Sequence, residues 1–539
     1  MPEAAPGSPH ARLRTALALG AITAAAAALR FAALGDESFW YDEAVAAALA
    51  RAPLPALLSG EARDLGNPPL YWALLGAWAA AFGWSDAALR AFSAACGVAA
   101  VPLTFLVVRR LARPADAGST GSPRAEPGPR PDASTPVALG AAALLAISPF
   151  HVYLGQEARA FALVTLLGLA AVLFLLAAVD RPRSAIRWAL HGAAVFGALY
   201  AHYFALFLVP ACLLVLAARR ALRLEVLVPW AAALVLAALP YLTWLPALAA
   251  QLATAGNLAR SAESWHLQVA ATPLVYAVGT TLAWKGEDAW TGGLALAALA
   301  TVAMGIAGLA AFRTARRREA LGLAAWLAPS LALPVAISAL ASPLYHVRYV
   351  ALVAPAFYAL VALGLATVRP ALRGALVVAM VVPAAVSIGR YHARDVKHDW
   401  RSAARAIEAV AGDGEPLVFD AGFNEAAFAH YATEGQPRLR VVHPPPGDPA
   451  AAVGFVRRPG EAPAPLAPVL ASADRFWLVL SDAPGEAERA WGPLAEGRAV
   501  DVELRFRGIR ARRFGPPPVE IRPARTAPEK TPPAPGPAR

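Results

Sequence analysis

Eleven apolar segments, joined by short arginine-rich connections, leave this chain few ways to fold. They cover residues 15–34, 88–108, 137–153, 161–179, 186–199, 204–218, 226–245, 291–312, 321–341, 350–368 and 372–389. A helix needs ~20 apolar residues to cross a hydrocarbon core ~30 Å thick. Lipid offers the backbone no hydrogen bonds, so such segments must satisfy their own, as helices do. Charge is correspondingly scarce: 16% of the 539 residues are charged and 58% are hydrophobic, where soluble domains carry about 25% charge. The expected fold class is an α-helical polytopic membrane protein with about 11 transmembrane helices. Cys96 and Cys212 both lie inside apolar segments, which argues against a disulfide framework or a cysteine metal site. The net charge of +11 does not point to nucleic acid, because much of the excess sits between spans.

The basic residues orient the chain. With the N-terminus in the cytoplasm, the cytoplasmic connections hold seventeen arginines and the opposite ones seven basic residues. The first segment has Arg12 and Arg14 on its basic flank and no clear cleavage site, so it reads as an uncleaved anchor. The apolar stretch 68–82 would invert every later loop if it crossed. It is therefore read as a juxtamembrane helix on the outer surface, with Pro68 or Pro69 in its first turn. The loop 109–136 is rich in Pro, Gly and Ser and is expected to lack structure. Three regions follow: a membrane domain at 1–390, a small outer α/β domain at 391–515, and a Pro-rich tail at 516–539. In the second, strands are expected at 416–420, 439–442 and 476–480. Helices are expected from Asp399 through Val410, at 424–432 and near 486–494.

Four polar constellations fall at outer ends of spans. Phe39-Trp40-Tyr41-Asp42-Glu43 follows the first span, and Asp64-Leu65-Gly66-Asn67-Pro68-Pro69-Leu70-Tyr71 precedes the surface helix. Gln156-Glu157-Ala158-Arg159 follows the third span, and His346-Val347-Arg348-Tyr349 precedes another. Carboxylates at that depth are costly unless they serve a site. Aromatics alone could be an interface belt, and single members have bland readings: Asp64 as a cap, Glu157 as a structural ion pair, Arg348 as a snorkelling side chain. His202-Tyr203, at an outer turn, reads first as packing.

These motifs resemble those of C-type (GT-C) membrane glycosyltransferases, the broad family of protein O-mannosyltransferases and the lipid A aminoarabinose transferase. The matching elements are Trp40-Tyr41-Asp42-Glu43, Asp64 to Tyr71, and Gln156-Glu157-Ala158-Arg159-Ala160-Phe161, within a resemblance spanning roughly residues 10–400. Many relatives carry His before the double proline, where this chain has Asn67. The resemblance implies a polyprenyl-phosphate-linked sugar donor and transfer at the outer membrane face, with Asp42 as base.

The chemistry agrees. A sugar on a lipid monophosphate already has a good leaving group, so one carboxylate base suffices to deprotonate an acceptor hydroxyl. Asp42 is the chosen base, with Glu43 beside it to orient it, bind acceptor or hold a cation. Arginine suits the phosphate because its planar fork bonds two oxygens, and Arg159 and Arg348, with Tyr349, are the candidates. Asp64, Asn67, Tyr71, Gln156, Glu157, His202 and Tyr203 are read as substrate-binding or orienting. No cofactor is required, with a divalent cation left open, and the acceptor is a lipid, glycan or protein. The Ala-, Arg- and Pro-rich composition points to a high-GC bacterium, with the outer face periplasmic and the chain in the inner membrane. The alternatives are a transporter or flippase of lipid-linked saccharides, which would carry polar groups near the midplane, and a sensor or scaffold.

Overall fold

The computed structural model describes residues 9–516, apart from 65, 114–132, 262–264, 280–290, 314–315, 394–396, 413, 420–423, 433–438, 443–472 and 482–496. The protein is a helical polytopic membrane protein with a small C-terminal mixed sheet. Among the described residues six helices are long and apolar enough to cross: Pro9–Phe31, Asp86–Leu111, Phe161–Asp180, Gly293–Arg313, Arg317–Leu340 and Pro370–Ala393. Two bent pairs raise the candidates to eight: Ser134–Ala146 with Pro149–Gly155, and Leu224–Ala238 with Tyr241–Leu252.

The eleven expected spans thus divide into long helices, broken ones and short ones. The segment expected at 137–153 bends by 60°. Pro149 cannot continue the preceding helix, and Ser148 caps a new one by accepting from the His151 amide at 3.2 Å. The segment expected at 226–245 bends by 63°. The helix Ala354–Leu365 has 12 residues, a rise of only ~18 Å. The helix Leu70–Phe82, 13 residues behind Pro69, is also too short for a simple span. Most of the loop 109–136, the helix expected near 486–494 and the tail from 517 lie outside the described residues.

Two cross-ties fix the first helix against the broken one. Buried Arg30 donates to the carbonyls of Ala146 and Leu145 at 2.9 and 3.0 Å, filling the places that the break leaves open. In return Gln156 donates to the carbonyls of Ala32 at 2.7 Å and Arg30 at 3.3 Å, at the end of Pro9–Phe31. The turn 156–160 is thereby held beside the segment 32–43. Elsewhere the helices meet backbone to backbone. A Cβ at Gly364 would lie 1.6 Å from the Ala307 carbonyl oxygen, so only glycine permits that crossing.

The C-terminal sheet has the order β2-β1-β3-β5-β4, with β1 Glu415–Phe419, β2 Leu439–Val442, β3 Phe476–Ser481, β4 Ala499–Phe506 and β5 Ile509–Gly515. β1 pairs parallel with β2 and β3, and β5 pairs antiparallel with β3 and β4. Helix Trp400–Val410 is capped by Asp399 and packs Trp400, Ala403, Ala404 and Ile407 into a core with Leu417, Trp477 and Val479. The β4–β5 hairpin is an addition to the sequence reading. Its arginines hide the alternation, and Gly508 at φ +71° sits in its turn.

The sheet domain rests on the segment leading to Asp42. Asp86, which opens its helix, pairs with Arg401 at 2.7 Å and with His430 at 3.0 Å. The Tyr431 hydroxyl accepts from the Phe39 amide at 2.6 Å, and Phe39 stacks on His430 at 4.8 Å. Ser38 donates to Asp399 at 3.2 Å.

Candidate active site

Asp42 and Glu43 lie in the first turn of helix Tyr41–Ala50, where the helix dipole favours negative charge. One residue of helical rotation sends them apart. Glu43 is fully buried, and Asp42 keeps 22% of its side chain exposed. The Glu43 carboxylate accepts from Arg90 through both oxygens at 2.7 Å, from Lys397 at 2.8 Å and from the Ala158 amide at 3.0 Å. Burial pushes its pKa up, but Arg90 and Lys397 outweigh that and bring it down to about 2. Arg90 also donates to the carbonyls of Leu34, Glu37 and Ser38, so one guanidinium binds Glu43 and the chain that feeds Asp42. Glu43 is a fixed anchor with its lone pairs taken. A catalytic or cation-binding role expected for it has no free oxygen to use.

Asp42 is the accessible carboxylate. Its Oδ2 lies 3.5 Å from an Arg159 nitrogen and 3.9 Å from an Arg348 nitrogen. Closed charge-assisted bonds run to about 2.7–2.9 Å, so these pairs are loose beside those of Glu43. The two arginines arrive from segments far apart in sequence. Arg159 sits in the turn after the broken helix, where Ser93 holds its carbonyl at 3.0 Å and is itself bonded to the Tyr71 hydroxyl at 2.8 Å. Arg348 lies over the Trp40 ring at 5.0 Å and the Tyr153 ring at 5.9 Å. Burial opposes charge on both. Asp42 and Asp64 outweigh it at Arg159, and Tyr153, Glu157 and Asp42 at Arg348, so both pKa values rise.

Tyr349 fills the space behind them, with His202, Phe204 and His346 at centroid distances of 5.0, 4.8 and 5.2 Å. Burial brings His202 and His346 down to about 3, with Arg159 and Arg348 respectively adding to the shift. Each Nδ1 accepts a backbone amide at 3.2 Å, from Phe204 and from Arg348. Each neutral ring therefore carries its proton on Nε2 and serves as a donor. Half-buried Asp64 folds into its own turn, accepting from the amides of Gly66 and Asn67 at 2.8 and 2.7 Å and from the Asn67 side chain at 2.9 Å. Burial raises its pKa. Buried Glu157 has Tyr153, Arg159 and Arg348 as its electrostatic neighbours.

A pocket opens beside Arg159, lined by Asn67, Tyr71, Trp72, Ala160, Phe161 and His202. Between its aromatic walls and few polar groups the cavity has room for about one water. The structure brings together Asp42, Asn67, Tyr71, Glu157, Arg159, His202, Arg348 and Tyr349, with Asp64 alongside. Gln156 is instead spent on the first helix, and the Tyr203 hydroxyl on Gln251 and Trp244. Sequence reasoning missed Arg90, Lys397, Trp72 and His346 as participants. A charge at the mouth of span 88–108 flags Arg90. Nothing local flags Lys397. Among the described residues no group of three His, Cys, Asp or Glu side chains is arranged to hold a metal ion.

Neither a family model nor a curated protein matches the sequence. The fold does have solved counterparts. Apo ArnT from Cupriavidus metallidurans matches with a TM-score of 0.57 at 12% identity, over 92% of this chain and 97% of ArnT. ArnT bound to undecaprenyl phosphate matches with a TM-score of 0.52 at 14% identity, over the same shares, 92% and 97%. The oligosaccharyltransferase AglB from Archaeoglobus fulgidus, in complex with an inhibitory peptide and a dolichol-phosphate, gives 0.46 at 14% identity, over 80% of this chain and 65% of AglB. At such identities the likeness is one of fold, and this chain has the fold of ArnT over nearly its whole length.

Proposed function

We propose that this protein transfers a sugar from a polyprenyl-phosphate-linked donor to an acceptor hydroxyl, at the periplasmic face of a bacterial inner membrane. The observation that carries the reading is Asp42, an accessible carboxylate held between two guanidiniums from separate segments. The ArnT fold supports it, since ArnT has been solved with undecaprenyl phosphate bound. In the proposed step the acceptor O–H proton passes to Asp42, and the acceptor oxygen bonds to the anomeric carbon. The bond from that carbon to the phosphate oxygen breaks, and the polyprenyl phosphate leaves with the electron pair. Attack opposite the leaving group inverts the anomeric centre. Arg159 and Arg348 meet the phosphate charge, which grows as the bond breaks. In doing so they turn from Asp42 and free its lone pairs for the acceptor. Asn67 and His202, which line the small cavity beside Arg159, are the polar contacts proposed for the sugar, whose entry widens that cavity.

The test is transfer by purified protein in liposomes, using polyprenyl phosphates that carry different radiolabelled sugars. Label moving to a lipid, glycan or peptide acceptor, with release of free polyprenyl phosphate, is the expected result. No release from any member of the panel overturns the reading. The side of the membrane has its own test. Alkaline phosphatase fused after Arg390 is expected to be active, because the arginine-rich connections are retained in the cytoplasm. A well-expressed but inactive fusion reverses the orientation.

A further inference from the structure

Lys397 carries a charge from the C-terminal domain to the carboxylate next to Asp42. Lys397 lies at the entrance to that domain, is 9% exposed, and donates to Glu43 at 2.8 Å. Its backbone is not free to move. Its amide donates to Glu37 at 3.1 Å, and its carbonyl accepts from Arg507, in the β4–β5 turn, at 2.8 Å. The carbonyl of Arg507 in turn accepts from the Asp399 amide at 3.0 Å. A chain of contacts therefore runs from the hairpin turn through Lys397 to Glu43. From Glu43 it continues to the Ala158 amide at 3.0 Å, one residue before Arg159.

We propose that Lys397, held by the β4–β5 turn, is a positioning residue for sugar transfer: through Glu43 it sets Asp42 and the turn bearing Arg159 in register. The inference rests on the transferase reading. Glu43 precedes no reacting atom, yet its carboxylate joins the helix of Asp42, the helix of Arg90, the Arg159 turn and the C-terminal domain. With Lys397 gone, Oε2 loses a donor and Glu43 loses its tie to the β4–β5 turn, so the Arg90–Glu43 pair can shift as a unit against the Ala158 amide. Reacting groups tolerate little displacement: a shift of about 1 Å can cost about 10²-fold in rate. Docking of the domain does not depend on this contact, because Asp86 with Arg401 and His430, and Tyr431 with Phe39, form a separate set.

Lys397→Met is the variant of choice. It leaves Glu43 in its two-pronged pair with Arg90, so no buried charge is orphaned. The expected result is a kcat lower by about tenfold and a donor KM raised less than in Arg159→Ala, with melting temperature unchanged, since both the base and the turn bearing Arg159 lose register. Amide exchange over residues 156–160 should rise, Lys397→Arg should recover most of the rate, and Arg507→Ala should shift kcat in the same direction. Wild-type kcat and wild-type exchange at 156–160 in Lys397→Met would overturn the inference. If the wild-type protein transfers no sugar, the transferase reading falls on that result alone. The exchange measurement then decides whether Lys397 positions the turn.

Discussion

Asp42→Asn lowers kcat by at least ~10²-fold, the usual scale of general-base assistance. The substitution keeps the size of the side chain and its place in the first turn of helix Tyr41–Ala50. It removes the lone pair that takes the acceptor proton, and the neighbouring carboxylate cannot take over. Glu43 is one residue away but is closed off by Arg90, Lys397 and the Ala158 amide. His202 and His346 are neutral donors at Nε2 with Nδ1 already engaged. Donor binding should survive and should tighten, because the neutral amide no longer competes with phosphate for Arg159 and Arg348. The measurement is single-turnover transfer beside binding of polyprenyl phosphate. A folded Asp42→Asn variant with near-normal turnover removes Asp42 from the role of base.

Arg159→Ala and Arg348→Ala each weaken polyprenyl phosphate binding by roughly ten- to a hundredfold, the equivalent of one charge-assisted hydrogen bond worth about 1.5–3 kcal/mol. The two guanidiniums approach Asp42 from different segments, at 3.5 and 3.9 Å, which leaves an anion able to enter between them. Lysine keeps the charge but loses the planar fork. Arg→Lys at either position should therefore bind with intermediate affinity. Binding of polyprenyl phosphate without its sugar isolates this contact from the pocket. If both alanine variants bind it as tightly as wild type, the arginines serve only as partners of Asp42.

Much of this could be read in the sequence, because it follows from local rules. A run of about 20 apolar residues makes a helix long enough to cross a membrane. Pro149 after Ser148 stops one, although the broken span appeared only in three dimensions. The motifs around Asp42, Arg159 and Arg348 pointed to one centre, since charge at the end of a span needs a reason. Sequence spacing also marked Asp399 as the start of a helix and residues 476–480 as a strand. The β4–β5 hairpin escaped notice because its outward arginines mask the alternation.

The roles of the paired carboxylates were decided by tertiary structure alone. Asp42 and Glu43 are adjacent, acidic and equal in local context. One faces an open centre, and the other faces Arg90 from 47 residues away and Lys397 from 354 residues away. Gln156 stands in the same motif as Arg159, yet it turns to the first helix while Arg159 turns to Asp42. The sequence determined that apolar helices dominate the chain and which polar motifs stand at their ends, because burial of apolar length acts segment by segment. Which carboxylate stays open to substrate depends on partners brought from remote parts of the chain, and only the packed fold supplies those.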